Sequence, residues 1–125
     1  MIIKAPLYVA VVDDDESVRE SLPDLLREFG YEAHGFSSAE EFLESDKVRP
    51  ADCLVLDFAM PGMSGLDLQR KLARQERKLP TVFITAHGDE AFRLWVRERG
   101  AADCLLKPFT DTALLEAIQA ALHQE

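Results

Sequence analysis

The chain has 125 residues, with 14 Lys and Arg against 23 Asp and Glu and a formal net charge of -9. That length predicts one domain, 1–125, large enough to bury roughly two-thirds of its extended-chain surface without staples. The acidic balance argues against direct nucleic-acid binding, which needs a basic face. No apolar run approaches the roughly 20 residues of a membrane span, and no signal-peptide pattern opens the chain. Two cysteines inside apolar runs fit reduced core residues, and the expected setting is cytoplasmic.

Apolar and amphipathic segments alternate from end to end. Leu7-Tyr8-Val9-Ala10-Val11-Val12 predicts a first strand. A helix from about 16 to 29 follows, with Val18, Leu22, Leu25, Leu26 and Phe29 on one stripe. Gly30 is placed to end it. Pro23 inside it removes the bond to the carbonyl of Arg19 and predicts a kink. A short strand near 31–36 precedes a helix capped by Ser37 with Glu40 or by Ser38 with Glu41. Residues 45–51 form a polar connection. Cys53-Leu54-Val55-Leu56 reads as a fully buried strand. After the loop Met60-Pro61-Gly62-Met63-Ser64-Gly65, Ser64 caps a helix carrying Leu66, Leu68 and Leu72. Pro80 precedes the strand Val82-Phe83-Ile84, and a fourth helix runs from about 90 to 99 before Gly100. Cys104-Leu105-Leu106 is the fifth strand. Thr110 or Asp111 caps a last helix with Leu114, Leu115, Ile118 and Leu122. Alternating β and α with short connections predicts right-handed crossovers and a parallel sheet covered on both faces.

Four of the five strands end in polar groups. The first runs into Asp13-Asp14-Asp15, the third into Asp57, the fourth into Thr85-Ala86-His87 and the fifth into Lys107-Pro108. Ligand sites of open α/β sheets lie at that edge. Each ending alone has a plain structural reading: helix-start acids, a solvated strand end, a β-forming Thr, a turn. Together they assemble three acids, a hydroxyl and an amine. Carboxylates about 4 Å apart repel by roughly 4 kcal/mol per pair at an effective dielectric of 20. Either some are protonated or a cation sits among them, and a few hard oxygen ligands suit Mg²⁺ or Mn²⁺ completed by a phosphoryl oxygen. A carboxylate can also be the nucleophile that forms an aspartyl phosphate, and Asp57, on the strand expected in the middle, is the central one.

The residues Val11-Val12-Asp13-Asp14-Asp15-Glu16, Leu56-Asp57-Phe58-Ala59-Met60-Pro61-Gly62-Met63-Ser64-Gly65, Ile84-Thr85-Ala86-His87 and Lys107-Pro108-Phe109 closely resemble bacterial two-component response-regulator receiver domains. The resemblance covers essentially the whole chain and is nearest the FixJ-like branch. It implies a (βα)5 flavodoxin-like fold, a doubly wound parallel sheet of order 2-1-3-4-5. It implies Asp57 as the phosphorylation site, fed by a sensor histidine kinase or phosphotransfer protein. The metal ligands would be Asp13, Asp14, Asp57 and the backbone carbonyl of Ala59. Thr85, Ala86 and Lys107 would be the phosphoryl-contact and switch residues, and the bond before Pro108 would be cis. Asp15 and Glu16 look like helix-start residues. Ala59 and His87 occupy positions that tune phosphoryl lifetime.

The sequence departs from that pattern in two places. Cys104 replaces the Tyr or Phe expected three residues before the lysine, so an aromatic swing cannot report the switch; neutral core packing and altered output both stay open. Arg93, Trp95, Arg97 and Arg99 crowd the fourth helix where relatives tend to have small residues, either as a solvated face or as a partner surface. Two other functions compete. A haloacid-dehalogenase-type hydrolase of small phosphoesters needs a second acid two residues after its nucleophile, where this chain has Ala59. A flavodoxin-like cofactor binder needs hydroxyl-rich phosphate loops, where this chain is acidic. No helix-turn-helix or enzymatic segment follows Gln124-Glu125. The chain is therefore read as a single-domain regulator or as the receiver of a longer protein with an output domain. A downstream protein target is expected and a homodimer stays open.

Overall fold

Five strands of four or five residues, each followed by a helix, alternate along the computed structural model, which describes residues 6–76 and 78–123. The order is β1 (Tyr8–Val12), α1 (Glu16–Glu28), β2 (Glu32–Phe36), α2 (Ala39–Glu44), β3 (Cys53–Asp57), α3 (Gly65–Arg74), β4 (Thr81–Thr85), α4 (Glu90–Glu98), β5 (Asp103–Leu106) and α5 (Asp111–Leu122). All pairings are parallel, in the order β2-β1-β3-β4-β5. β1, β3 and β4 are buried along their whole length, as a sheet sandwiched between helices requires. One face packs Leu54, Leu56 and Phe83 under α2, α3 and α4; the other packs Val9, Val55 and Ile84 under α1 and α5. The two cysteines lie on β3 and β5, separated by β4, and are free.

Each helix start is fixed by one side chain. Asp15 accepts from Ser17 N, Ser38 from Glu41 N, Asp89 from Phe92 N and Thr110 from Ala113 N. Ser64 and Asp67 form a reciprocal capping box. Ser38 rather than Ser37 caps α2, because Ser37 instead donates to the Glu41 carboxylate. Two local expectations change, for Phe29 and for the 45–51 connection. Phe29 is exposed, since it is the residue that closes α1 and so falls off the stripe formed by Leu22 and Leu26. Pro23 lies inside one continuous helix, and the Arg19 carbonyl that it leaves free faces Gly35 of β2. A Cβ at Gly35 would come within 2.5 Å of that oxygen, so only glycine permits this approach of helix to strand. The 45–51 connection is not purely polar: Ala51 is buried and Val48 packs on the core. The expectation about Gln124-Glu125 lies outside the described residues.

Candidate functional site

The register of the sheet builds the site. Val12 pairs with Leu56, so Asp13 and Asp57 emerge side by side at the carboxyl edge of β1 and β3. Asp57 pairs with Ile84, and Thr85 with Leu106, which brings Thr85 and Lys107 to the same edge. One oxygen each from Asp13, Asp14 and Asp57 falls within 4.8 Å of the others. Asp13 is fully buried and Asp57 nearly so, whereas Asp14 is exposed. Gly65 allows this packing: a Cβ there would meet the Asp57 carbonyl oxygen at 2.6 Å and the Phe83 ring at 2.9 Å. The sequence signal for that glycine was its place directly after the Ser64 cap, under the loop that follows Asp57.

Asp13 uses both carboxylate oxygens. Oδ1 accepts from the Asp15 backbone N–H at 2.9 Å, and Oδ2 accepts from Lys107 Nζ at 3.1 Å. Among the described residues, no cation forms an ion pair with Asp57. Burial and the neighbouring Asp13 carboxylate push its carboxyl up to about 7, and Lys107 offsets this only in part. Three carboxylates on one ammonium is a deficit of positive charge, and the donor set is the hard-oxygen kind that suits Mg²⁺.

The remaining predicted residues separate into two groups. Ala59, Ala86 and His87 are exposed in the loops after β3 and β4, beside the acidic edge. Lys107-Pro108 is a cis peptide. The Thr85 hydroxyl donates to the His87 carbonyl at 2.9 Å and accepts from the His87 N–H at 3.2 Å, so it is tied to its own loop. Cys104 is fully buried, pairing with Phe83 across β4 and β5, and burial raises its thiol to about 11. It is a core residue.

Arg93 does not belong with the exposed α4 residues. Its Nε donates to the Cys104 carbonyl at 2.8 Å, while Nη2 reaches Asp103 at 3.1 Å and Nη1 reaches Glu90 at 3.3 Å. It fastens α4 to β5. Trp95, Arg97 and Arg99 do face outward. The Arg99 guanidinium covers the Trp95 ring at 3.7 Å. Sequence reasoning missed the aromatic contacts behind that ring: Phe58 meets Phe83, Phe92 and Trp95 with centroids 5.5, 5.0 and 6.3 Å apart. The available signal was the position of Phe58, directly after Asp57.

Residues 9–119 match the response regulator receiver domain family. Nodulation protein W of Bradyrhizobium diazoefficiens is 46% identical over 117 residues, covering 94% of this chain and 52% of that protein. The chain thus spans about half the length of the curated relatives it matches. Among solved structures, the response regulator StyR superposes with a TM-score of 0.84 at 48% identity, covering 94% of this chain and 60% of that one. FixJ-N superposes at 0.82 and 38% identity, covering 95% and 96%. The hydrolase alternative finds no support, for the position two beyond Asp57 is Ala59, which has no proton to donate. The sheet order, the acidic edge and these matches agree, and the chain belongs to the response regulator receiver domains, phosphoacceptor modules of two-component signalling.

Proposed function

We propose that Asp57 is the phosphoacceptor of this receiver and takes its phosphoryl group from a phosphohistidine of a sensor histidine kinase or phosphotransfer protein. A carboxylate oxygen of Asp57 forms the new O–P bond as the P–N bond to the imidazole breaks; the departing nitrogen keeps the electron pair and takes up a proton. The observation that carries this reading is the place of Asp57 at the end of the central strand, beside two further carboxylates and, among the described residues, with no ion pair of its own. Asp13, Asp14, Asp57 and the Ala59 carbonyl would hold Mg²⁺ or Mn²⁺, which when bound supplies positive charge to the carboxylates and to the phosphoryl oxygens. Lys107 exchanges its contact with Asp13 for a phosphoryl oxygen. Thr85 gives up the His87 carbonyl to donate to another, with Ala86 beside it.

That exchange frees the loop at 86–89, which leads into α4 and its Trp95. The signal leaves through α4, since Cys104 has no ring to swing. The protein turns over no separate substrate; it works in the cytoplasm on an output domain or protein target. Ala59 offers no hydrogen bond to a hydrolytic water, which favours slow loss of the phosphoryl group. Incubation with Mg²⁺ and acetyl phosphate should add one phosphoryl mass to the intact chain, and Asp57→Asn should abolish it. Undiminished phosphorylation of that variant at another residue overturns the assignment.

A further inference from the structure

At the end of the molecule opposite the acidic edge, a groove of about 960 Å³ opens between α3, the start of β4 and the end of α4. Its β4 residue, Thr81, is four residues from Thr85, about 13 Å at roughly 3.3 Å per residue. Leu72, Leu79 and Pro80 supply apolar lining, and Arg70, Lys78 and Arg99 supply its cations. The size and the mixture of apolar wall with a few polar groups are those of small-molecule sites. The charge is the unusual part. In a chain of net charge -9, these three cations contend, among the described residues, with a single acid in the groove, Glu76. Among the described residues, no carboxylate forms an ion pair with Arg70, Lys78 or Arg99. Arg99 instead rests on the Trp95 ring and donates to the Trp95 carbonyl at 3.0 Å.

We propose that this groove is a binding site for a small amphipathic anion, a free carboxylate on an apolar body, with the body against Leu72, Leu79 and Pro80 and the carboxylate between Arg70 and Arg99. A neutral apolar molecule satisfies the walls and leaves the cations unpaired; an inorganic anion does the reverse. Only a molecule carrying both features matches the whole groove. Arg99 links the site to α4, because a carboxylate that engages its guanidinium competes with the contact on Trp95. The site is separate from the phosphoacceptor edge and needs neither Mg²⁺ nor Asp57.

Decanoate is a suitable probe, compared with decan-1-ol and decyltrimethylammonium as neutral and cationic counterparts, each titrated below its aggregation limit. Calorimetry of the full chain should show saturable binding of decanoate that is at least about tenfold tighter than that of either counterpart, the factor expected from one charge-assisted contact. Trp95 emission should change along the same curve. The double variant Arg70→Gln/Arg99→Gln should weaken decanoate by about tenfold or more, while Lys71→Gln, on α3 but outside this groove, should leave it unchanged. No saturable decanoate binding, equal binding of decan-1-ol, heat without a Trp95 response, or full affinity in the double variant each overturns the proposal.

Discussion

At the ends of β1 and β3 three carboxylates share one ammonium, whereas at the junction of α4 and β5 one guanidinium is shared by two carboxylates and a carbonyl. The first arrangement is short of positive charge and stays so until a cation arrives. The second is complete: Asp103 even receives a further bond from the Cys104 N–H at 2.8 Å. The difference shows where the molecule changes state and where it holds still. An edge whose own groups cannot satisfy one another responds to metal and phosphoryl group. A junction whose groups are all paired moves only as a block, carrying α4 with it.

The largest way to test the contrast is the pH dependence of the metal-free protein. The Asp57 carboxyl sits at about 7 when folded, against 3.8 as its ordinary value. Between those values the folded state binds more protons than the unfolded one, so this group's contribution to stability falls as pH rises. Denaturant titrations in a chelator should therefore show the wild type losing about 2–4 kcal/mol between pH 4 and 7.5 relative to Asp57→Asn. Parallel curves for the two proteins would mean that the acidic edge is not crowded.

Next comes the metal. Asp13→Asn or Asp14→Asn should weaken Mg²⁺ by about tenfold or more, close to 1.4 kcal/mol. Either should also leave apo-protein melting unchanged or raised, since each relieves repulsion. Calorimetry against a melting curve separates the two effects, and unchanged Mg²⁺ affinity in both variants would break the three-carboxylate site. At the paired junction the expectation reverses. Arg93→Ala should cost about 1–2 kcal/mol, the value of a charge-assisted contact reduced for partial exposure, and should leave Mg²⁺ affinity alone. Stability within about 0.3 kcal/mol of wild type would show that α4 is held by its apolar face alone.

The sequence made the first region legible and the second opaque for a physical reason. Asp13, Asp57 and Lys107 each had a plain structural reading alone, but strand alternation put all three at one edge, and charges gathered at the ends of apolar strands are expensive enough to stand out together. The sheet order was implied by the resemblance to receiver domains, and the register that joins them came only with the folded sheet. Arg93 announced nothing. An arginine on a helix reads as solvated until the partner strand supplies Asp103 and a free carbonyl, and those are contacts of tertiary packing. Phe29 failed in the opposite direction, since its spacing continued the α1 stripe while the helix ended beneath it. The path from Phe58 through Phe92 to Trp95 likewise exists only once α4 is brought against the loop that follows β3.

Whether the two regions are joined through the Thr85 hydroxyl is settled most directly at Trp95, the only tryptophan of the chain. Beryllofluoride with Mg²⁺ stands in for the phosphoryl group at Asp57 without the need for a kinase. A ligand shifts an equilibrium only through contacts that differ between the two states, and here that contact is one hydrogen bond to a charged acceptor, worth about 1.5–3 kcal/mol. The wild type should show a saturable change in Trp95 emission on titration, and Thr85→Ala should bind the mimic yet show most of that change lost. An identical emission change in Thr85→Ala would contradict the account.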